Sequence, residues 1–314
     1  GASLGIKTII VMPVTTPAIK INAVRSRGGD VLLHGDTYND AAEYAMKLVQ
    51  KHGYTFVHAF DDKAVIAGQG TVGVEILRQH SGPLDAVFVP VGGGGLMAGM
   101  AAYIKYIRPD IRMIAVEAED SACLKAAMAA GRRVKLSQVG LFADGVAVNQ
   151  VGKNTFGILR QCVDEVITVN TDEICAAIKD IFDDTRTVSE PAGALGVAGI
   201  KKYVQQHQVN GQTLMAVVTG ANVNFDRLRH IAERAELGES REAVLAVTID
   251  ERPGSFREFS KILGRRNITE FNYRYGDSHA AQIFVGIEVG DGESGRQALL
   301  KELSEKGLKA HDMT

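Results

Sequence analysis

The most informative stretch of the sequence is Ala86-Val87-Phe88-Val89-Pro90-Val91-Gly92-Gly93-Gly94-Gly95-Leu96. Its first six residues are continuously apolar, as in a parallel strand that is covered on both faces. Four glycines then lead into a helical pattern that begins near Leu96. Backbone N–H groups that no side chain covers, at the positive end of a helix, suit a phosphate dianion. One glycine would serve a strand–helix turn, and four cost folding entropy, so we interpret Gly92–Gly95, the glycine loop, as a phosphate-binding loop.

Around this stretch, short β-branched runs alternate with helical patterns from Thr8 to about Gly220. This alternation predicts an α/β region that is doubly wound around a parallel sheet. We expect strands at Thr8–Met12, Val31–His34, Phe56–Phe60, Ala86–Val91, Met113–Glu117, Glu165–Val169 and Leu214–Thr219.

The pattern changes at the polar stretch Leu237–Glu242, which we interpret as a linker. The order beyond it is strand, helix, strand, strand, helix, strand, which predicts a small ferredoxin-like α+β domain. We therefore place one domain at residues 1–238 and a second at residues 239–314. The expected elements of the second domain are Ala243–Ile249, Phe256–Leu263, Ile268–Tyr275, Gln282–Val289, Gly295–Glu305 and Leu308–His311.

Composition narrows the class of protein. The chain has 314 residues, and a hydrophobic fraction of 46% argues against wholesale disorder. The formal charge is −2 and no basic block stands out, which argues against a nucleic-acid or acidic-membrane partner. The longest apolar runs fall short of the roughly 18 residues of a membrane span. The three cysteines Cys123, Cys162 and Cys175 fit no zinc spacing, and the eight histidines form no metal motif, so we expect reduced thiols, no metal and a cytoplasmic location.

Three weaker motifs each have a plain structural alternative. Gly68–Gly73 fits GxGxxG, but a helical pattern surrounds it where a dinucleotide motif needs a preceding strand, so we do not expect a nicotinamide or flavin. Thr219, followed by Gly220, ends a strand and would point into the crevice of an α/β sheet, although threonine is also common at strand ends. Glu190 precedes Pro191 at a helix start, where it would either cap the helix or aim a carboxylate into the crevice.

Taken together, these motifs resemble the biosynthetic threonine ammonia-lyase (threonine dehydratase) family. Its members are pyridoxal-phosphate (PLP) enzymes of the tryptophan-synthase-β-like fold, PLP fold type II, with an ACT-like regulatory domain. The resemblance runs the whole length of the chain. It is carried by Ile9–Pro13, Val65–Thr71, Val89–Leu96, Val116–Cys123, Gly140–Val148, Glu190–Ala194, Thr219–Asn222, Leu237–Glu239 and Phe271–Arg274.

The resemblance implies a cofactor, a reaction and site residues. Gly92, Gly93, Gly94, Gly95 and Leu96 would cradle the phosphate of PLP, Thr219 would hydrogen-bond the pyridine nitrogen, and Glu190 would face the cofactor. The implied reaction converts L-threonine to 2-oxobutanoate and ammonia, the first step of isoleucine biosynthesis. Serine racemase or serine dehydratase is the alternative within enzymes, since those proteins share the glycine loop.

One departure from the family is large. The family's Schiff-base lysine lies in a segment that this sequence does not contain, and no lysine here, Lys63 and Lys105 included, matches that position. We therefore expect a fragment or a degenerate homologue that is inactive by itself. A non-catalytic amino-acid-sensing module is the alternative outside enzymes.

The second domain resembles the ACT-like regulatory region of the same family, where isoleucine inhibits. Valine is a further candidate effector. Arg252, Gly254, Ser255 and Phe256 fit the loop where amino-acid effectors commonly bind in such domains, although an ordinary turn and helix start would look the same. The resemblance also implies a homo-oligomer, commonly a tetramer.

Overall fold

The strand that precedes the glycine loop lies inside a parallel sheet. The computed structural model describes residues 1–14, 16, 18–36, 38–223, 225, 227–238, 242–250, 252–275, 280–290 and 292–313. It divides into two units, Gly1–Ala59 and Phe60–Thr314.

The first unit is a short strand–helix–strand–helix segment. Its two strands pair in parallel, with Ile9 opposite Asp30. The elements are β1 (Ile9–Met12), α1 (Ala18–Ser26), β2 (Asp30–Leu33) and α2 (Tyr38–His52).

The expectation of a strand at Phe56–Phe60 is wrong. Residues 54–58 have no regular structure, and the side chain of Val57 is 72% exposed. Apolar composition alone predicted this strand, and composition does not show whether a neighbouring strand supplies a hydrogen-bonding partner.

The first part of the second unit carries the parallel sheet. Its elements are α3 (Lys63–Gln69), α4 (Thr71–Gln79), β3 (Ala86–Pro90), α5 (Gly95–Ile107), β4 (Arg112–Ala118), α6 (Cys123–Ala130), α7 (Lys153–Cys162), β5 (Glu165–Val169), α8 (Thr171–Thr185), α9 (Pro191–His207), β6 (Leu214–Ala216) and α10 (Arg227–Gly238).

The four strands of this sheet lie in the order β5-β4-β3-β6, and every pair is parallel. The chain moves outward from β3 through β4 to β5 and then returns to the other side of β3 to form β6. Ligands of open α/β sheets bind at such a reversal, outside the carboxyl ends of the strands. The reversal here brings together the segments that follow β3 and β6, which are the glycine loop and Thr219.

Both faces of this sheet are covered by helices, as the continuously apolar strands predict. Val87 and Val89 pack into one core cluster, with α5 and α6, and Phe88 packs into the other, with α8 and α9. All of β3 is buried. The expected last strand is shorter than Leu214–Thr219, because only three residues of β6 pair with β3 and the side chains of Val218 and Thr219 are exposed.

The Gly68–Gly73 motif lies in α3 and α4, which confirms that the segment is helical. Asp62 caps α3 by accepting hydrogen bonds from the N–H groups of Ala64 and Val65. Gly70 and Gly73 pack against α5 so closely that a side chain at Gly70 would meet the carbonyl of Gly99. Helix–helix packing therefore accounts for these glycines.

The C-terminal region has the expected strand and helix order. Its strands lie in the antiparallel order β10-β7-β9-β8, the order of a ferredoxin-like sheet. The interpretation of Leu237–Glu242 as a linker is wrong at both ends, because Leu237 and Gly238 belong to α10 and Glu242 begins the next strand. Residues 239–241 lie outside the described residues. The elements are β7 (Glu242–Asp250), α11 (Ser255–Leu263), β8 (Ile268–Tyr275), β9 (Ala280–Glu288), α12 (Gly292–Glu305) and β10 (Lys309–Asp312).

Two kinds of feature are missing from the described ranges. Among those residues, no helix has both the length and the apolarity to cross a membrane. Nor do three or more His, Cys, Asp or Glu side chains in that part of the chain converge on a point where they would hold a metal ion.

Candidate active site

The glycine loop connects β3 to α5 through one turn that requires glycine. Gly94 has φ +89°, in the left-handed region, and α5 begins at the next residue. Residues other than glycine rarely adopt this backbone conformation. The loop therefore reaches the N-terminus of α5 without side chains of its own.

Three successive carbonyl groups of the loop contact hydrogen-bond donors of other residues. The carbonyl of Gly93 accepts hydrogen bonds from the hydroxyl of Thr155 at 2.8 Å and from the N–H of Gly152 at 3.1 Å. The thiol of Cys123 lies 3.5 Å from the carbonyl oxygen of Gly92. Gly94 accepts the N–H of Ala98, the first hydrogen bond of α5.

These anchored carbonyls fix the direction of three N–H groups. In a trans peptide the C=O and the following N–H point in opposite directions. The N–H groups of Gly93, Gly94 and Gly95 therefore point away from α6, from α7 and from the body of α5, respectively. Within the described residues, none of the three has a backbone acceptor. Three free, oriented donors at a helix N-terminus fit a phosphate group.

The side of the loop on which side chains would project is tightly packed. The ring of Phe60 lies against Gly93, and its backbone lies against Gly95, while Val146 lies against Gly92. A Cβ atom at Gly92 or Gly93 would overlap those atoms, and one at Gly95 would come within 3.0 Å of them. Close packing thus contributes to the need for glycine here, and Gly93, Gly94 and Gly95 are themselves buried.

Glu190 lies beside the loop that follows β6. Its backbone N–H donates to the carbonyl of Gly220 at 3.0 Å, and the hydroxyl of Ser189 donates to the same carbonyl at 3.1 Å. The Glu190 carboxylate fills the space that a side chain at Gly220 would need. Thr219, the preceding residue, has an exposed side chain.

The structure excludes one of the two interpretations of Glu190, that its side chain caps the helix. Glu190 is at the N-cap position of α9 and Pro191 is the first helical residue, but the Glu190 carboxylate accepts no hydrogen bond from the described N–H groups of that helix. The side chain is therefore not a helix cap. It lies next to Gly220, at the sheet edge shared with the glycine loop.

A buried carboxylate that sequence reasoning missed lies behind the loop. Glu117, at the end of β4, is fully buried, and its two oxygens accept the N–H groups of Leu124 and Lys125 at 2.7 and 2.8 Å. Burial raises the pKa of Glu117 to about 7, although these two hydrogen bonds oppose the rise. Burial and the Glu117 charge raise the pKa of Cys123 to about 12, so the thiol stays protonated. The sequence feature that could have indicated this buried carboxylate is the single acid Glu117 after the apolar run Met113–Val116.

The proposed effector residues are adjacent at the start of α11. Gly254 has φ +100°, and Ser255 is buried with a hydroxyl that has no hydrogen-bond partner among the described residues. Arg252 pairs with Glu258 at 2.9 Å. The ring of Phe256 is 46% exposed and meets Phe271 edge-on at 5.1 Å.

Two cavities lie elsewhere in the second unit. One of about 270 Å³ opens at the ends of β4 and β5, beside Asp120, Phe142 and Asn170. The other, of about 810 Å³, is apolar and lies along α3, α4, α5 and α7. Neither is lined by the glycine loop, Thr219 or Glu190.

Comparisons with known proteins identify the family of the chain. Residues 1–220 match the family model described as "Pyridoxal-phosphate dependent enzyme", and residues 233–314 match "C-terminal regulatory domain of Threonine dehydratase". The chain is 54% identical to the L-threonine dehydratase biosynthetic IlvA of Burkholderia multivorans, covering 100% of this chain and 62% of that protein. It is 53% identical to the Escherichia coli protein of the same name, covering 100% of this chain and 61% of that protein. The chain therefore spans about three fifths of the length of the curated relatives it matches.

Two solved structures are similar along most of the chain. The processed form of threonine deaminase isoform 2 from Solanum lycopersicum is 44% identical with a TM-score of 0.73, covering 74% of this chain and 64% of that one. The T.th. threonine deaminase is 37% identical with a TM-score of 0.66, covering 71% of this chain and 72% of that one. The expected fold class, PLP fold type II followed by a regulatory α+β domain, is confirmed. The chain belongs to the threonine dehydratase family of pyridoxal-phosphate dependent enzymes.

Proposed function

We propose that the protein to which this chain belongs converts L-threonine to 2-oxobutanoate and ammonia and is inhibited by isoleucine. The observation that carries the proposal is the set of three oriented N–H groups at Gly93–Gly95, placed where the order of the parallel strands reverses. Membership of a PLP-dependent family supplies the phosphate that suits those donors.

In this proposal, Gly92, Gly93, Gly94, Gly95 and Leu96 hold the cofactor phosphate at the start of α5. Thr219 donates its hydroxyl hydrogen to the pyridine nitrogen and leaves that nitrogen unprotonated. When bound, PLP supplies an electron sink for the substrate's Cα, and an unprotonated ring is a weaker sink that favours rapid loss of a β-hydroxyl over longer-lived carbanion chemistry.

Glu190 contributes a carboxylate at the same sheet edge. Its place beside Gly220, and the absence of a capping role among the described residues, support a position facing the cofactor. No lysine of this chain is assigned the covalent bond to the cofactor or the removal of the Cα proton. The residues assigned here bind and orient.

The regulatory proposal concerns Arg252, Gly254, Ser255 and Phe256. A free amino acid carries a carboxylate, and the first turn of α11 offers it N–H groups together with the buried hydroxyl of Ser255, which lacks a partner among the described residues. The half-exposed Phe256 offers an apolar contact for a branched side chain. Isoleucine is therefore the proposed effector, and valine a weaker candidate.

Three further properties belong to the same proposal. The boundary between the two domains lies at residues 238 and 239, where α10 ends. All three cysteines are free, which fits the reducing cytoplasm. The assembly is a homo-oligomer, a tetramer by resemblance to the family.

The test uses the full-length protein with PLP. We expect release of 2-oxobutanoate from L-threonine, a higher kcat/KM for L-threonine than for L-serine, and inhibition by isoleucine. A higher kcat/KM for serine, or racemised serine as the main product, would favour the serine racemase or serine dehydratase alternative. Equal inhibition by isoleucine after removal of every residue beyond Gly238 would place the effector site in the catalytic region.

A further inference from the structure

We propose that Asp61 is a positioning residue for the phosphate site, acting through α7 and Thr155 on the carbonyl of Gly93. The inference rests on the proposed function, because it concerns the same glycine loop. No sequence motif contains Asp61, and it makes its contacts with residues about 90 positions further along the chain.

Asp61 caps α7 in place of the residue that precedes the helix. That residue is Gly152, which has no side chain to act as a cap. The carboxylate of Asp61 accepts hydrogen bonds from the N–H groups of Lys153 at 2.8 Å, Asn154 at 2.7 Å and Thr155 at 3.2 Å. The side-chain amide of Asn154 donates to the backbone carbonyl of Asp61 at 3.0 Å. The first turn of α7 is therefore hydrogen-bonded to both the side chain and the backbone of Asp61.

The same helical turn holds the glycine loop. Thr155 is fully buried, and its hydroxyl donates to the carbonyl of Gly93 at 2.8 Å. The N–H of Gly152 donates to the same carbonyl at 3.1 Å. Asp61 thus fixes the backbone of a turn that supplies both donors to Gly93.

Anchoring this carbonyl determines where the next N–H points. The Gly93 carbonyl is directed at α7, so the N–H of Gly94 is directed away from it. Phe60, the neighbour of Asp61 in the chain, lies against Gly93 and Gly95 and limits their movement. Without the Asp61 carboxylate, three N–H groups of α7 lose their acceptor, the turn frays, and the Gly94 donor loses its fixed direction.

The neighbouring residue Asp62 is a matched control. Its carboxylate also caps a helix, α3, by accepting the N–H groups of Ala64 at 2.8 Å and Val65 at 3.1 Å. Both of these donors belong to α3 and not to the helix that holds the carbonyl of Gly93. Asp61→Ala and Asp62→Ala therefore each remove one helix-capping carboxylate, and only the first acts on the loop.

The experiment measures how much the phosphate contributes to binding. Fluorescence titration of the full-length protein gives the dissociation constants of PLP and of pyridoxal, which lacks the phosphate. The dissociation constant of pyridoxal divided by that of PLP measures the contribution of the phosphate, and this ratio cancels general losses of structure. We expect Asp61→Ala to reduce this ratio about tenfold, equivalent to about 1.4 kcal/mol. Asp62→Ala should leave the ratio unchanged.

A second pair of variants covers the case in which Asp61→Ala does not fold. Thr155→Val should lower the ratio as Asp61→Ala does, because valine keeps the volume of threonine without the hydroxyl, and Thr155→Ser should restore it. Equal ratios for Asp61→Ala and Asp62→Ala, or an unchanged ratio for Thr155→Val, would overturn the inference while leaving the phosphate site intact. A ratio near one in the unsubstituted protein would overturn the phosphate site itself and this inference with it.

Discussion

The carboxylate of Glu190 occupies the space that a side chain at Gly220 would need, and the backbone N–H of Glu190 donates to the Gly220 carbonyl at 3.0 Å. This contact joins the start of α9 to the loop after β6. Thr219 is the next residue along, so the position of that loop and the direction of the Glu190 carboxylate depend on each other.

We expect Gly220→Ala to displace the Glu190 carboxylate and to change the stability by less than about 0.5 kcal/mol, because the added Cβ meets only the far end of that flexible side chain. PLP should bind more weakly. Urea unfolding and fluorescence titration measure the two effects. Gly68→Ala is the control, because Gly68 lies in α3 and a Cβ atom added there would meet open space. That substitution should stabilise the protein by about 0.5–1 kcal/mol and leave PLP binding unchanged. Unchanged PLP binding by Gly220→Ala would contradict a role for the Glu190 carboxylate at the cofactor site.

Thr219→Asp should lower the rate of threonine deamination at least about tenfold, or about 1.4 kcal/mol of transition-state stabilisation. A carboxylate beside the pyridine nitrogen favours its protonation and changes the electron sink. Thr219→Ser keeps the hydroxyl and should retain most of the rate. Because the Thr219 side chain is exposed, both variants should unfold within about 0.5 kcal/mol of the parent. Equal turnover by the two variants would show that Thr219 is not the partner of the ring nitrogen.

Glu117 should make stability depend on pH. Burial raises its pKa from 4.5 to about 7, so between these values the folded protein holds a proton that the unfolded chain has released. The free energy of unfolding should therefore fall as pH rises from about 4.5 to about 7, by about 3 kcal/mol from this residue. Glu117→Gln removes the titrating group and should remove that decrease.

Urea unfolding at pH 5, 6, 7 and 8 measures this dependence. Glu173→Gln is the control, since Glu173 also accepts a hydrogen bond at a helix start but its side chain is partly open to solvent. The control should keep the dependence of the parent. The same decrease in Glu117→Gln as in the parent would exclude Glu117 as its source.

Ser255→Ala should separate effector binding from folding. The Ser255 hydroxyl is buried and has no partner among the described residues, so its removal in the effector-free protein should be neutral or stabilising by about 1 kcal/mol. The rise in melting temperature caused by isoleucine should shrink. Ser260→Ala, at an exposed position of the same helix, should keep that rise. A full isoleucine response in Ser255→Ala would remove this residue from the effector site.

Sequence patterns predicted most of the strands and helices because buried parallel strands are short, β-branched and bounded by clear helix starts. The α8 start is an example, where Asn170 and Glu173 form the reciprocal cap that their types suggest. The prediction of a strand at Phe56–Phe60 was wrong because a run of apolar residues does not show whether a partner strand lies beside it. β6 was shorter than predicted because β-branched residues 217–219 continue the pattern beyond the last paired residue.

The site was only partly accessible from sequence. The glycine loop and Thr219 follow neighbouring strands, and local patterns predicted both as candidate site residues. Sequence patterns did not predict the roles of three other residues. Those of Asp61 and Thr155 arise from contacts between residues far apart in the chain, and that of Glu117 arises from the burial of a single acid. Only the folded structure brings the Asp61 carboxylate to the N-terminus of α7.

The most direct test of the central claim, that the glycine loop binds the phosphate of PLP, is the ³¹P NMR signal of PLP bound to the full-length protein between pH 5 and 8. A free phosphate monoester takes up a proton near pH 6. Three N–H donors at the start of α5 favour the dianion, so we predict a bound signal that stays at the dianion position over the whole range. A bound signal that shifts with pH as free PLP does would contradict the claim.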